Sequence, residues 1–400
     1  MEQSQVFHIP EPLQQREQIL VIGVGGGGGN ALNHIIESGV EGVEFVAANT
    51  DATALAQSKA PYKIALGEKL TRGRGAGGNP QVGTDAAKES IDRIREYLEG
   101  CEMVFVTAGM GGGTGTGAAP IIAEIAKEMQ ILVVGVVTTP FGFELNKRAQ
   151  VAQDGIAKLR EKVDALLVVE NDRLLAVANE KTTTTEAFKM ANEVLRQAVQ
   201  GVTDLVLKPG LINVDFADVK TIMRKAGSAI MGIGVGEGEN RAEVAAKAAI
   251  KSPLMSMPLK GAKGVLINIE GTSDLGIFEM KRAAEIITEN ADPDVEVIWG
   301  HTVNENAGNT MRVTVIATGF SATEQRQPPQ AVGEREMPKR IGGFSLVNPR
   351  TPEKVVSSSG NFSLDETDLQ PSLDEDMFSG MPKTAYDTPS ILRVRNRPRR

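Results

Sequence analysis

Two runs of glycine carry the chemistry expected of this chain. The first is Gly23-Val24-Gly25-Gly26-Gly27-Gly28-Gly29-Asn30, and the second is Gly109-Met110-Gly111-Gly112-Gly113-Thr114-Gly115-Thr116-Gly117. Each follows a short apolar run with β-branched members, Ile19-Leu20-Val21-Ile22 and Met103-Val104-Phe105-Val106-Thr107-Ala108, which reads as a buried strand. Behind each, apolar residues return at helical spacing: Leu32, Ile35 and Ile36 in one case, Ile121, Ile122, Ile125 and Met129 in the other. Without Cβ atoms, such strand-to-helix turns can take positive φ and close their amides on an anion. The helix N-terminus adds partial positive charge, and the second run adds two threonine hydroxyls. Both runs are therefore expected to cradle phosphate.

The first run alone favours a dinucleotide-dependent Rossmann oxidoreductase. Gly23, Gly25 and Gly28 satisfy G-x-G-x-x-G, and Glu44 lies where a ribose-binding acid would sit. The second run shifts the balance, because one pyrophosphate needs one such turn. Two turns at successive strand ends suggest a longer phosphate chain gripped from two sides. No Lys-Ser or Lys-Thr follows either run, which disfavours a Walker A loop. A triphosphate held by backbone amides and threonine hydroxyls is the better reading.

Three further groups could do chemistry, each with a plainer alternative. Glu144 and Arg148 lie near the same sheet edge, or form an ordinary i, i+4 surface pair. Phe188 is core on a helical stripe, or tops the sheet edge and stacks on a base, with Asn192 one turn on to read the base edge. Asp215 and Asp218 are an N-cap with a capping-box acid, or two carboxylates that orient water and neighbour a metal, with the amide of Asn213 beside them.

The elements that must position these residues alternate. Strands over 43–48, 131–137 and 165–169, with helices over 31–38, 84–98 and around Ile156, Leu159 and Val163, predict a parallel sheet covered on both faces. A long helix over 185–205 follows, striped by Phe188, Ala191, Leu195, Ala198, Val202 and Leu205, and Pro209-Gly210 ends it. Strands at 229–235, 265–269, 295–298 and 311–317, with helices over 218–226, 241–250 and 275–289, form a second α/β unit. After Phe320, proline, serine, glutamine and charge dominate to about Thr384, a composition expected to stay disordered. At the end, Ile391-Leu392 stands beside Arg393, Arg395, Arg397, Arg399 and Arg400, which reads as a docking peptide or a solvated tail.

Bulk properties narrow the classes. A net charge of −8 speaks against nucleic acid as a general partner. The single Cys101 excludes a disulfide within the chain, and three scattered histidines offer no zinc cluster. The polar first eighteen residues lack a signal-peptide core, and the longest clean apolar run, 131–137, is too short to span a membrane. A cytoplasmic, soluble protein is expected, without direct membrane insertion.

Together these residues resemble the tubulin/FtsZ family of GTPases over about residues 18–320. The run from Gly109 to Gly117 looks like the family signature. The first glycine run, Asn49-Thr50-Asp51, Asn213-Val214-Asp215-Phe216-Ala217-Asp218 and Arg312-Val313-Thr314-Val315-Ile316-Ala317-Thr318-Gly319 are similar to segments of its bacterial cell-division branch. Thr139 stands where the family often has lysine, Gly78 where alanine is usual, and Ile391 where an aromatic is common in the docking peptide.

The resemblance implies a Rossmann-like parallel-sheet GTP-binding domain (18–182), a central helix (183–208) and a smaller α/β domain carrying a catalytic loop (209–320). A disordered tail (1–17), a disordered linker (321–385) and a docking peptide with a basic end (386–400) complete the expected organisation. It implies GTP or GDP held by Gly26, Gly27, Gly28, Gly29 and Asn30 and by Gly113, Thr114 and Gly115. Glu144 and Arg148 would lie near ribose and phosphates, Phe188 would stack on guanine, and Asn192 would bond its edge. Mg²⁺ would offset phosphate charge. Asp215, Asp218 and Asn213 would act on the GTP of the next subunit, since a helix near twenty residues sets them about 30 Å from their own nucleotide. A head-to-tail contact of that kind does not close and so makes filaments, here the ring of bacterial division at midcell, with a membrane adaptor on the C-terminal peptide. A non-hydrolysing scaffold and a plasmid-partition relative of tubulin are the nearer rivals.

Overall fold

The computed structural model describes residues 18–179, 181–207, 215–224 and 226–320. Asn213, Pro209-Gly210, residues 1–17, the linker 321–385 and the segment 386–400 lie outside the described residues. The chain runs β1 (Ile19–Val24), α1 (Gly25–Glu37), β2 (Val43–Asn49), α2 (Ala52–Gln57), β3 (Tyr62–Ala65), α3 (Glu68–Thr71), α4 (Pro80–Glu89) and α5 (Ile91–Leu98). It continues with β4 (Met103–Gly109), α6 (Thr114–Glu128), β5 (Leu132–Thr139), α7 (Asn146–Arg160), β6 (Ala165–Glu170), α8 (Asn171–Leu174) and α9 (Thr184–Leu207). Then come α10 (Phe216–Met223), β7 (Gly227–Glu237), α11 (Arg241–Ile250), β8 (Gly264–Gly271), α12 (Ile277–Thr288), β9 (Glu296–Val303) and β10 (Thr310–Thr318).

All ten strands join one sheet in the order β3-β2-β1-β4-β5-β6-β7-β10-β8-β9. From β3 to β7 every pairing is parallel, whereas β10 runs antiparallel to both of its neighbours. The strand order reverses between β1 and β4, and in open α/β sheets ligands bind outside the carboxyl ends of the strands at such a switch point. Val24 of β1 pairs with Ala108 of β4, and Ala108 pairs with Val137 of β5, so these strand ends lie level. Both glycine runs therefore emerge side by side at the switch point.

Alternation along the strands sorts two cores. Ile19, Val21, Met103 and Phe105 face one cluster, shared with Leu32 and Ile35 of α1 and with Val194, Leu195, Ala198, Val199 and Val202 of α9. Leu20, Ile22, Val24, Val104 and Val106 face the other, under α4, α5, α6 and α7. A fully buried Leu or Val is worth roughly 1.5–3 kcal/mol, so α9 is anchored along its stripe from Ala191 to Leu205. A third cluster, under α11 and α12, belongs to residues 230–320.

Several elements differ from the sequence reading, among them the short helices α2, α3 and α8, which it does not contain. The helix expected from residue 31 begins at Gly25, so most of the first glycine run is helical. The helix expected over 84–98 starts earlier, at Pro80, and breaks at Ser90, whose hydroxyl leaves the helix direction to accept the amide of Gly67 at 3.0 Å. The helix expected over 218–226 is shifted to 216–223, because Asp215 caps it. Strand β3 was not expected, being four residues with only Ile64 buried, too short to show a period.

Candidate functional site

The carboxyl ends of β1, β4, β5 and β6 and the first turns of α1, α6 and α9 enclose a cleft of about 350 Å³. The two glycine runs form one wall and touch each other. Gly25 has φ +72°, and a Cβ there would lie 2.8 Å from the amide nitrogen of Gly115. Neither α1 nor α6 has a side chain capping its N-terminus. The first amides of two helices therefore converge on one space with no side-chain cap, an arrangement whose partial positive charge suits an anion. Thr114 stands at the start of α6, its hydroxyl 2.6 Å from that of Thr50, and Thr116 accepts the amide of Gly111 at 2.9 Å to hold the second run in place. Asp51, beside Thr50, is spent on capping α2 through the amides of Thr53 and Ala54.

The opposite wall begins at Thr138, Thr139 and Pro140 and includes Glu144 and Arg148. These two pair at 2.7 Å, and Glu144 also accepts the amide of Phe141 at 3.0 Å. Leu145, at φ +75°, breaks the chain between them, so the pair bridges the entrance to α7 rather than a continuous helix. Phe188 departs from its stripe. It is 41% exposed and stands edge-on to Phe141, ring centroids 5.3 Å apart, at the mouth of the cleft. Asn192 and Leu195 lie one and two turns further along the same wall.

Of the residues singled out for this site, Gly26, Gly27, Asn30, Gly113, Thr114, Gly115, Glu144, Arg148, Phe188 and Asn192 line the cleft together. Gly28 stands behind the wall, where a Cβ would meet the carbonyl of Thr107 at 2.4 Å, and Gly29 does not line it. Sequence reasoning missed Asn171. It follows directly on β6, lines the cleft, is 3% exposed, and its Oδ1 is buried without a partner. Its one signal was position, the first residue past a fourth parallel strand end.

Among the described residues that line the cleft, the titratable side chains are Glu144 and Arg148, which pair with each other. Asp215 and Asp218 are not among its lining residues. Both are exposed at the start of α10, where Asp215 accepts the amide of Ala217 at 3.1 Å and serves as the N-cap. The fifteen helical steps from Asn192 to Leu207 carry α9 about 22 Å away from the cleft before α10 is reached.

Comparison with known proteins gives a consistent picture. Residues 18–179 match the Tubulin/FtsZ family GTPase domain, and residues 227–321 match the FtsZ family C-terminal domain. The fold is similar to that of the FtsZ of M. jannaschii, solved as an empty dimer. That structure is 42% identical with a TM-score of 0.75, over 80% of this chain and 96% of that one. A point mutant of the same protein is 44% identical with a TM-score of 0.74, over 77% and 92%. CetZ2 from Haloferax volcanii, solved as a GTPγS-bound protofilament, shares the fold at 22% identity and a TM-score of 0.65, over 76% and 94%.

Proposed function

Because the chain belongs to the tubulin/FtsZ family of GTPases, we propose that it binds GTP in this cleft and hydrolyses it only when assembled head to tail. The observation that carries this reading is a cleft walled by the uncapped amides of two helices, whose titratable lining side chains, among the described residues, are the paired Glu144 and Arg148. Amides of Gly26, Gly27, Gly113, Thr114 and Gly115 hold the phosphates, with Arg148 as the cation beside them. Phe188 stacks on guanine, and Asn192 and the unpartnered Oδ1 of Asn171 meet the donors of its edge. Among the described residues, no group of three His, Cys, Asp or Glu is placed to hold a metal. Mg²⁺ accompanying the phosphates would find side-chain oxygens in the cleft on Asn30, Thr114, Thr138 and Thr139, and would neutralise phosphate charge.

In this reading water activation comes from a neighbouring subunit. Asp215 and Asp218 of a neighbour, with Asn213 beside them, orient and polarise the attacking water. The contact that brings them is heterologous and does not close, so it propagates as a filament, and loss of the γ-phosphate weakens it. In this reading the filament is the division ring at midcell, docked through segment 386–400 to a membrane adaptor. A dinucleotide oxidoreductase would leave the second glycine run without a role. The test is GTP turnover per subunit against protein concentration with Mg²⁺, for wild type and Asp218→Ala. A threshold below which turnover vanishes, with the variant binding GTP but not cleaving it, is expected. Flat specific activity down to dilute monomer would refute both the shared site and the roles of the two aspartates.

A further inference from the structure

We propose that His34 and Glu193 form a strut that sets the distance between the phosphate-facing and base-facing helices of the cleft. The inference rests on the nucleotide reading above. α1 presents Gly26, Gly27 and Asn30 to the cleft, and α9 presents Phe188, Asn192 and Leu195. One turn beyond Asn30, His34 Nε2 lies 2.9 Å from Oε2 of Glu193, the neighbour of Asn192. A carboxylate only accepts, so the imidazole donates through Nε2.

Glu193 is a fixed anchor rather than a loose surface acid. Its Oε2 also accepts from Arg196 Nε at 2.8 Å, and its Oε1 accepts from Arg196 Nη2 at 2.6 Å and from Gln197 Nε2 at 2.8 Å. Burial opposes its charge, but the bonds from Arg196 and His34 prevail and hold the carboxyl below the usual carboxylate range. Three of its four donors come from its own helix, so the remaining bond is the one that reaches across to α1. Leu32 and Ile35 of α1 share a core cluster with Val194 and Ala198 of α9, and apolar packing of this kind is non-directional. A directional bond next to Asn192 is what fixes the register of the two walls.

The full chain, stripped of nucleotide, is titrated calorimetrically with GDP and with inorganic pyrophosphate. GDP spans both helices, whereas pyrophosphate fits the glycine wall alone. His34→Ala and Glu193→Ala should each weaken GDP by about 3- to 10-fold, the range for one hydrogen bond. The double variant should be no weaker than the worse single one, since both remove the same contact. His34→Gln, whose amide can still donate, should stay within about twofold of wild type, and pyrophosphate should bind all variants equally. Unchanged GDP affinity in His34→Ala, additive losses, or parallel weakening of pyrophosphate would overturn the strut. Wild type binding neither ligand would instead remove the nucleotide reading, and the strut with it.

Discussion

Replacing Asn171 with leucine should make the empty protein more stable and a worse nucleotide binder. Leucine matches asparagine in shape without its polar atoms. The Oδ1 of Asn171 is buried with no donor among the described residues, in a residue 3% exposed. Such an atom costs about 1–3 kcal/mol in lost hydration, a cost that Asn171→Leu removes. At roughly 2.1 cal/mol/K of unfolding entropy per residue, a folded body of about 300 residues converts that gain into about 2–5 °C of Tm. The same change leaves a donor of the bound base unpaired in a dry pocket, costing about 1–3 kcal/mol of affinity, or roughly 5- to 150-fold. Scanning calorimetry of the nucleotide-free chain and titration with GDP read the two effects separately. A lower Tm in the empty variant, or GDP affinity within twofold of wild type, would refute the placement of this oxygen as an acceptor waiting for a base.

Other expectations follow from the same geometry. Gly25→Ala forces a side chain into φ +72°, with its Cβ 2.8 Å from the Gly115 amide nitrogen. The left-handed conformation alone costs about 1–2 kcal/mol, and the two glycine walls must part, so GDP binding by titration should fall at least tenfold. Burial alone holds the His301 imidazole below its ordinary value, and neither ring nitrogen has a partner. The unfolded chain therefore takes up a proton near pH 6.5 that the folded chain refuses until lower pH. Stability is full above that point and falls as pH drops below it. Thermal unfolding at pH 7.5 and 5.5 should show this drop, and His301→Leu should reduce it. Burial, with the Glu44 charge adding, pushes the Cys101 thiol up to about 11. Iodoacetamide at pH 7.5, followed by mass spectrometry, should label it about 100-fold more slowly than a free cysteine.

No helix among the described residues is long and apolar enough to cross a membrane. Of the two readings of Asp215, the structure shows the cap on α10, with the Ala217 amide as its donor, and it leaves both Asp215 and Asp218 exposed. Glu144 and Arg148 likewise form the ordinary ion pair expected of them, and do so on the wall of the cleft.

What this sequence determined by itself was local. Apolar runs such as 103–108 read as buried strands, the glycines after them as strand-to-helix turns, and the stripe from Ala191 to Leu205 as one face of a long helix, and the structure has each of these. Steric freedom, apolar burial and helical period act within a few residues, so they are legible in order along the chain. The tertiary structure decided everything that depends on pairing between distant segments. It placed the switch point between β1 and β4, and it joined residues 227–318 to the first strands through the three-residue pairing of β6 with β7. It also lifted Phe188 out of its stripe to the mouth of the cleft, left the Oδ1 of Asn171 without a donor in the wall, and put Gly28 behind it. Strand order and side-chain destination are settled by which distant surfaces bury one another, and no spacing within a single segment encodes that choice.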